Sequence, residues 1–266
     1  MTAMTGTAPL DLSEPPEVRN QGRGTHGVRG LQDVFQLPQL WSFHLYRYHA
    51  ELEVDGIGYE ITPGAVSLVP PACRIRYRYR GPSTHLYAHL RAGRLTTSAD
   101  RSRPGSRLQV VMSPGAELPM ITDLMESAIA SATTRPARTR ADIWLALLRL
   151  DERPVSGVTR PAETHLTTAM SYIESRLPEP MTVPEVAGWV GISANHLTRV
   201  FGNELQETVV GYIRRRRIDH ARRLLASSTM SIPAIAASVG FTDLQAFNKA
   251  CRSVTGLSPR ALRREP

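Results

Sequence analysis

The sequence predicts a multidomain protein, with an N-terminal β-barrel followed by two helices and an all-α C-terminal domain that contains two helix-turn-helix motifs. Three observations lead to this fold class. Residues 31–113 carry many short alternating runs separated by turn residues, which is typical of a small barrel or sandwich. Residues 162–264 have apolar residues at helical spacing almost throughout. One pattern of helix caps, proline and glycine occurs twice in that helical part, which indicates a duplicated unit.

The bulk composition is that of folded globular domains. The chain has 266 residues, of which 41% are hydrophobic and 21% are charged. It contains no run of about 18 apolar residues that could span a membrane. The net charge of +8 favours a polyanionic partner. The two cysteines, Cys73 and Cys251, lack metal-ligand spacing and fit a reducing compartment. The first residues are acidic and contain no apolar block, so we expect no signal peptide and a cytoplasmic location.

The first 151 residues divide into an arm and a strand-rich domain. Residues 1–28 are rich in proline, glycine and charge without periodicity, so we expect a disordered N-terminal arm. Residues 29–151 form the domain, in which Asp55-Gly56 is a strong signal for a hairpin turn. Two amphipathic helices are predicted at its end, over 119–134 and 140–150. The runs predicted to be strands are 42–49, 51–54, 58–61, 65–69, 74–80, 84–90 and 108–112.

The helical domain, residues 162–266, follows a proline-containing linker at 152–161. Its duplicated pattern starts with a hydroxyl residue that can cap a helix, at Thr182 and again at Ser231. Proline follows in the first turn, where a missing N–H costs nothing. A glycine then ends each short helix, and a second cap starts a new helix within a few residues. Each copy is therefore predicted to be a helix-turn-helix, although an ordinary helical hairpin of a bundle is the alternative.

One continuous helix is predicted between the two copies, from Val209 to Ser227. At ~1.5 Å per residue its length is roughly 30 Å, close to the ~34 Å between successive major-groove faces of DNA. A single rigid helix can therefore hold two recognition helices one turn of DNA apart. Four arginines, Arg214–Arg217, lie around this helix, so at most one or two of them can face DNA. We expect the others to form ion pairs inside the domain. The acidic partners expected for them are Glu204, Glu207 and Asp219.

Five motifs of the helical domain occur together in one known family. They are Leu-Thr-Arg-Val-Phe201, the helix from Tyr212 to Leu225, Ser231-Ile-x-x-Ile-Ala, Val-Gly-Phe241 and Thr255-Gly-Leu-Ser-Pro259. In this combination they resemble the DNA-binding module of the AraC/XylS family of bacterial transcription regulators, over residues 162–264. The segment Gly58–Pro71 has a Pro-Gly and Pro-Pro rhythm similar to that of the family's sensor domain. Residues 29–151 are therefore expected to be a cupin-like effector-binding and dimerisation domain.

The resemblance implies which side chains face DNA. Arg199 can bridge guanine O6 and N7, and Leu244 can make only apolar contact, for instance with a thymine methyl. Ser193 and Asp243 are expected to cap their helices, whose N-termini also donate to phosphate. The alternative for each residue is an ordinary solvated helix face. The base-facing residues implied are Asn195, His196, Thr198 and Arg199 in the first recognition helix, and Leu244, Gln245, Asn248 and Lys249 in the second.

The resemblance also implies the partners and the class of protein. A member of this family binds double-stranded promoter DNA, acts as an activator that recruits RNA polymerase, and in some cases responds to a small-molecule effector. It is not an enzyme, needs no cofactor and does not bind membranes. The two helices after the barrel often pair between subunits in such regulators, which would give a homodimer. Packing of these helices against their own barrel is the alternative.

The histidines of the barrel keep an enzymatic alternative open. Metal-dependent cupins hold an ion with two or three histidines and a carboxylate. The usual His-x-His run is absent here, and Cys73-Arg74 follows the Pro-Pro turn in place of histidine. We therefore predict no metal ligands. A DNA-repair methyltransferase with the same module is disfavoured because neither cysteine has a zinc-ligand context. The candidate effector-binding residues are His44, Tyr46, His85 and His89.

Overall fold

The computed structural model describes residues 8, 10–92, 108–152 and 161–264. The chain divides into two compact units, residues 1–159 and 160–266. The predicted linker at 152–161 lies across this boundary, and its residues 153–160 fall outside the described part of the chain. Its last residue, Pro161, is already the first residue of a helix.

The N-terminal unit contains two antiparallel sheets. The five-stranded sheet has the order β1-β8-β3-β6-β9, and the four-stranded sheet has the order β2-β7-β4-β5. The predicted hairpin at Asp55-Gly56 is confirmed, since it joins β4 to β5 and both residues have positive φ, 49° and 87°. The strands are β1 (Glu17–His26), β2 (Gln32–Gln36), β3 (Trp41–Tyr46), β4 (Ala50–Val54), β5 (Ile57–Ile61), β6 (Val66–Val69), β7 (Arg74–Tyr79), β8 (Ser83–Arg91) and β9 (Val111–Met112).

The two sheets do not close into the predicted barrel. β1 and β9 are the edges of one sheet, β2 and β5 are the edges of the other, and no ladder joins these edges within the described residues. Side chains of β3 and β7 meet between the sheets, where the hydroxyl oxygens of Tyr46 and Tyr77 are 2.7 Å apart. The architecture is therefore an open sandwich. Strand periodicity alone does not separate a sandwich from a barrel because both need the same alternation of side chains.

The prediction of a disordered arm over residues 1–28 is wrong for residues 17–26. These residues form β1, which pairs along its length with β8 from Glu17 opposite Arg91 to His26 opposite Ser83. Upstream of this strand, Ala8 and Leu10 are buried in the core of the unit. A large part of the expected arm is thus a structural element of the domain.

Two glycines of β1 explain why the sequence did not reveal the strand. Gly22 and Gly24 interrupt the alternation of apolar and polar side chains that marks a strand. Both are required by packing, because rings of β8 occupy the space in front of them. A Cβ atom on Gly24 would lie 2.8 Å from the ring of His85, and one on Gly22 would lie 3.1 Å from the hydroxyl oxygen of Tyr87.

Two helices cover the outer face of the five-stranded sheet. A turn of 3-10 helix at Gly115–Glu117 leads into α1 (Leu118–Ser131), and α2 (Pro136–Asp151) follows. The apolar stripes of both helices join the apolar residues of this outer face in one core, so the two helices pack against their own domain. Glu126 of α1 is buried and accepts hydrogen bonds from Arg23 and from Arg47, the latter at 2.9 Å, which ties the helix to the strands.

The C-terminal unit is helical throughout its described part, as predicted. Its long central helix, α6 (Val209–Ser227), contributes Tyr212 to the core of the first helix-turn-helix and Ile218 to the separate core of the second. No helix within the described residues of either unit is long and apolar enough to cross a bilayer. The other helices of the unit are α3 (Pro161–Ser175), α4 (Val183–Val190), α5 (Ala194–Leu205), α7 (Ile232–Ser238), α8 (Leu244–Thr255) and α9 (Pro259–Leu262).

The helix ends of this unit confirm the duplicated capping pattern. Thr182 and Glu185 form a complete capping box at the start of α4. Ser231 caps α7 by accepting a hydrogen bond from the backbone of Ala234. The two glycines that follow the short helices, Gly191 and Gly240, have φ of +80° and +88°, the left-handed conformation that ends a helix.

Candidate nucleic-acid interface

The helix α5 has one buried apolar face and one exposed polar face. Leu197, Val200 and Phe201 are buried in the first core, as the sequence predicted. Ser193 caps the helix, and its hydroxyl accepts a hydrogen bond from the backbone N–H of His196 at 3.2 Å. The predicted DNA-contacting residues of this helix all lie outside the core: Ser193, Asn195, Thr198 and Arg199 are exposed, and His196 is half-buried.

Contacts within α5 hold Arg199 on the exposed face. Its Nη2 atom donates to Nδ1 of His196 at 3.0 Å. The ring of His196 packs edge-on against the ring of His165 from α3, with 5.5 Å between the centroids. Thr198 donates its hydroxyl hydrogen to the backbone carbonyl of Ala194 at 2.9 Å. The side chain of Arg199 is therefore exposed and held by its contact with His196.

The helix α8 repeats this arrangement in the second helix-turn-helix. Phe247 is fully buried beneath it, with Ala250 and Cys251 beside it. Asp243 caps the helix, and its two carboxylate oxygens accept backbone N–H groups at 3.0 Å each. Leu244 is 41% exposed, which leaves a large apolar side chain available for contact. The remaining predicted residues are Gln245 and Lys249, which are exposed, and Asn248, which is half-buried.

A basic groove beside α8 was not predicted from the sequence. It has a volume of about 710 Å³ and lies between α8, the start of α7 and the short helix α9. Leu244 and Asn248 form part of its wall, and no carboxylate of the described residues 161–264 lines it. The signal that could have revealed it is the spacing of three arginines after the last motif. They are Arg260, Arg263 and Arg264.

The arginine cluster on α6 is mainly structural, as expected. Arg215 pairs with Glu207 at 3.0 Å. Arg216 is buried and pairs at 2.6 Å with Glu174 of α3, a partner that the sequence did not single out. Arg217 donates to three backbone carbonyl groups. The fourth arginine of the cluster is exposed. The predicted acidic residues that contact the cluster are Glu207 and Asp219.

The candidate effector-binding residues lie together between the two sheets of the N-terminal unit. The rings of His44 and His85 are stacked with 4.7 Å between their centroids, and His26 of β1 stacks on the other side of His85 at 5.0 Å. His89 lies 5.9 Å from His44 and is half-buried. Tyr46 is fully buried. The sequence did not single out His26 because it lies in the segment predicted to be disordered.

Two histidines of this ring cluster, His44 and His85, are buried. Burial lowers the pKa of His44 well below its usual range and lowers the pKa of His85 to about 4. Nδ1 of His44 lies 3.3 Å from the hydroxyl oxygen of Tyr77, whereas Nδ1 of His85 is buried without a hydrogen-bond partner. Within the described part of the chain, no three histidine, cysteine, aspartate or glutamate side chains converge in a way that could hold a metal ion.

Comparisons with known proteins match this chain mainly in its C-terminal unit. A family profile described as "Helix-turn-helix domain" matches residues 186–265. The melibiose operon regulatory protein of Escherichia coli is 29% identical over 109 residues, which are 41% of this chain and 36% of that protein. Residues 186–265 are therefore a helix-turn-helix domain, similar to the domains of AraC-type regulators.

Other relatives of the AraC/XylS-type domain extend the comparison. The uncharacterized HTH-type transcriptional regulator YobQ of Bacillus subtilis is 22% identical over 213 residues, which cover 80% of this chain and 81% of that protein. An AraC-type DNA-binding domain structure from Chromobacterium violaceum is 30% identical, covers 40% of this chain and 96% of its own, and has a TM-score of 0.37. The Escherichia and Bacillus relatives are regulators by name, in agreement with the prediction that this chain is not an enzyme.

Proposed function

We propose that this protein is a sequence-specific transcription regulator that reads two successive major grooves of promoter DNA, through α5 and α8. The observation that supports this most strongly is the repeated geometry of two capped helices, each with a buried apolar face and an exposed polar one, joined to the same long helix α6. In a helix-turn-helix the second helix enters the major groove with its N-terminal residues against the bases. The predicted residues occupy that part of both helices.

Base recognition and backbone binding are assigned to different residues in this proposal. Arg199 and Asn248 have the geometry to read guanine and adenine, and Leu244 offers apolar contact to a thymine methyl. Lys249 supplies a point charge with less geometric discrimination than arginine. The groove arginines Arg260 and Arg264 lie where they would contact phosphates beside the second recognition helix.

Selection of binding sites from random DNA tests the proposal directly. We expect the full-length protein to select a motif with two halves about 10 base pairs apart. The double variant Arg199→Ala with Lys249→Ala should lose that motif. The control is Arg214→Ala with Arg222→Ala, which removes the same charge from exposed positions of α6 and should retain the motif. No enriched motif with the unaltered protein would contradict the function itself.

We also propose that a small molecule binds among the rings between the two sheets. The observation that favours this is the buried Nδ1 atom of His85, which lacks a hydrogen-bond partner although both ring nitrogens of the neighbouring His44 are paired. An unpaired buried polar atom is costly, and a ligand with one polar group could satisfy it. Thermal-shift screening of small-molecule libraries tests this, with His85→Phe as the variant expected to lose the response. A compound that stabilises both proteins equally would argue against this site.

The sign of regulation is proposed to be activation, with recruitment of RNA polymerase by a protein located in the cytoplasm. This follows the family resemblance and the regulator names of the relatives. A reporter gene downstream of the selected motif should be expressed more strongly when the protein is present. Lower expression would indicate a repressor instead.

The oligomeric state belongs to the same proposal. Two chains bound at adjacent sites would form a homodimer, and analytical ultracentrifugation can detect it.

A further inference from the structure

Arg217 connects the two halves of the DNA-binding domain. It lies near the middle of α6, and its guanidinium group contacts two separate segments of the chain. Nε donates to the carbonyl oxygen of Leu177 at 2.9 Å and Nη2 to that of Glu179 at 2.6 Å, both in the segment between α3 and α4. Nη1 donates to the carbonyl oxygen of Gly240 at 2.9 Å, in the turn between α7 and α8. One side chain thus joins the first helix-turn-helix to the turn of the second.

The backbone itself is in close contact at the same point. A Cβ atom on Gly240 would lie 2.7 Å from the carbonyl oxygen of Pro178 and 2.9 Å from the guanidinium carbon of Arg217. The φ of Gly240 is +88°, so a side chain is excluded there by conformation as well as by space. The next residue, Phe241, presents its ring to the guanidinium group at 5.9 Å. The turn of the second motif therefore rests directly on the chain that leads into the first.

The two motifs have separate hydrophobic cores. Their hydrophobic cores share no residue, and α6 is the helix that contributes to both. Packing within each core holds each recognition helix to its own half of α6. Rotation or bending between the halves is opposed by the stiffness of α6 and by the Arg217 contacts. Three of the five N–H groups of the guanidinium are already donated to carbonyl groups, so this arginine is poorly placed to bind phosphate.

We propose that Arg217 is a positioning residue, which fixes the placement of α5 relative to α8 and thereby the half-site spacing that the protein accepts on DNA. This inference rests on the proposed function, because spacing has a meaning only if both helices read DNA. It assigns Arg217 no contact with DNA. A planar guanidinium can serve three carbonyl groups in fixed directions, which a lysine ammonium on a flexible stem cannot do equally well.

Binding to DNA with altered half-site spacing tests the proposal. Fluorescence anisotropy would be measured for full-length protein on duplexes whose half-sites are separated by 8 to 13 base pairs, and on a duplex with one half-site. We expect the unaltered protein to prefer one spacing by tenfold or more over its neighbours. In Arg217→Ala this preference should fall to about threefold or less, with affinity for the single half-site unchanged.

Arg214→Ala is the matched control for this experiment. It removes the same charge from the same helix at an exposed position. We expect it to change affinity by the same factor at every spacing. If Arg217→Ala behaves in that way too, the role of Arg217 is electrostatic and the positioning proposal is wrong. If the unaltered protein shows no preference for paired half-sites, the proposed function itself fails, which is a separate result.

A measurement without DNA separates positioning from folding. Spin labels at Asn203→Cys on α5 and Ser253→Cys on α8, both exposed positions, report the distance between the helices in the full chain. The distance distribution should be broader in Arg217→Ala than in the parent protein. If Arg217→Ala does not fold, Arg217→Lys replaces it, and a broader distribution with reduced spacing preference is again expected. An unchanged distribution in a folded variant would overturn the proposal.

Discussion

At the scale of single residues, the two recognition helices end in the same left-handed backbone conformation but with different side chains. The recognition helix of the first copy ends at Gln206 with φ of +53°, and that of the second ends at Gly256 with φ of +76°. Both are left-handed, although glutamine stands in the first copy where the second has glycine. A non-glycine residue in this conformation costs roughly 1–2 kcal/mol. The first copy tolerates that strain, whereas the second avoids it.

Gly256→Ala is therefore expected to lower the free energy of unfolding of the C-terminal unit by about 1 kcal/mol. The reason is purely conformational, because no atom lies within 4 Å of a Cβ atom placed there. Gly202→Ala is the matched control, since Gly202 is inside α5 and its Cβ position is equally open. Alanine should raise stability by up to about 1 kcal/mol at that position. Chemical denaturation measures both, and equal effects of the two variants would contradict this account.

Two arginines of the proposed interface should differ in how they affect binding. Arg199→Ala is expected to cost ~1–3 kcal/mol on the cognate site and to relax specificity at one base pair. Arg260→Ala is expected to weaken binding to all sequences similarly and to reduce the salt dependence by about one counterion. Affinities for single-base variants of the site at several salt concentrations distinguish the two. Equal loss on all sequences with Arg199→Ala would mean that it contacts the DNA backbone.

At the scale of elements, helix caps and turns could be predicted from the sequence, whereas features that depend on long-range packing could not. The caps at Thr182 and Ser231 and the hairpin at Asp55-Gly56 depend on local backbone geometry, which the sequence specifies directly. Strand β1 depends on the rings of another strand, which its own residues do not reveal. The same holds for sheet closure, since alternation tells which side chains point inward and not which edges pair. The candidate recognition residues could be named from the sequence because they follow local helix signals. The groove arginines could not, because the groove forms only when α7, α8 and α9 pack together.

The glycines of β1 lead to a prediction about that strand. Gly24→Val places a Cβ atom against the ring of His85, so the ring or the strand has to move, and we expect a loss of about 1–3 kcal/mol in the stability of the N-terminal unit. Gly58→Val on β5 is the control, because its Cβ position is open and valine favours strands. Hydrogen exchange of β1 amides should increase in the first variant only. Unchanged exchange would mean that the packing adapts without cost.

At the scale of the whole molecule, the stability of the N-terminal unit depends on pH. The N-terminal unit buries neutral histidines between its sheets, and the lowered pKa of His44 and His85 links its stability to pH. In the unfolded chain histidine binds a proton below pH ~6.5. The folded unit binds that proton only near pH 4 in the case of His85. Stability is therefore complete above pH ~6.5 and falls as the pH drops toward the folded pKa.

Acidification from pH 8 to pH 5.5 is expected to destabilise the N-terminal unit by on the order of 1 kcal/mol for each of these histidines. Thermal unfolding followed by near-UV circular dichroism, which reports the buried tyrosines Tyr46 and Tyr77, measures this dependence. The variant His85→Phe should reduce the number of protons linked to unfolding by about one. A pH dependence that is the same in both proteins would show that His85 does not contribute.

The presence of two different recognition helices in one chain also limits how much information that chain can extract from a genome. Helices that read three to four base pairs each define at most about eight base pairs, a sequence that recurs by chance about once in 65,000 positions. Among ~10⁶ or more competing positions, about fifteen or more would match by accident. One chain alone would thus bind a set of matching sites and could not distinguish one of them from the others. Under the proposed function, binding to a unique promoter would need a second chain beside the first, which would lengthen the recognised sequence to about sixteen base pairs.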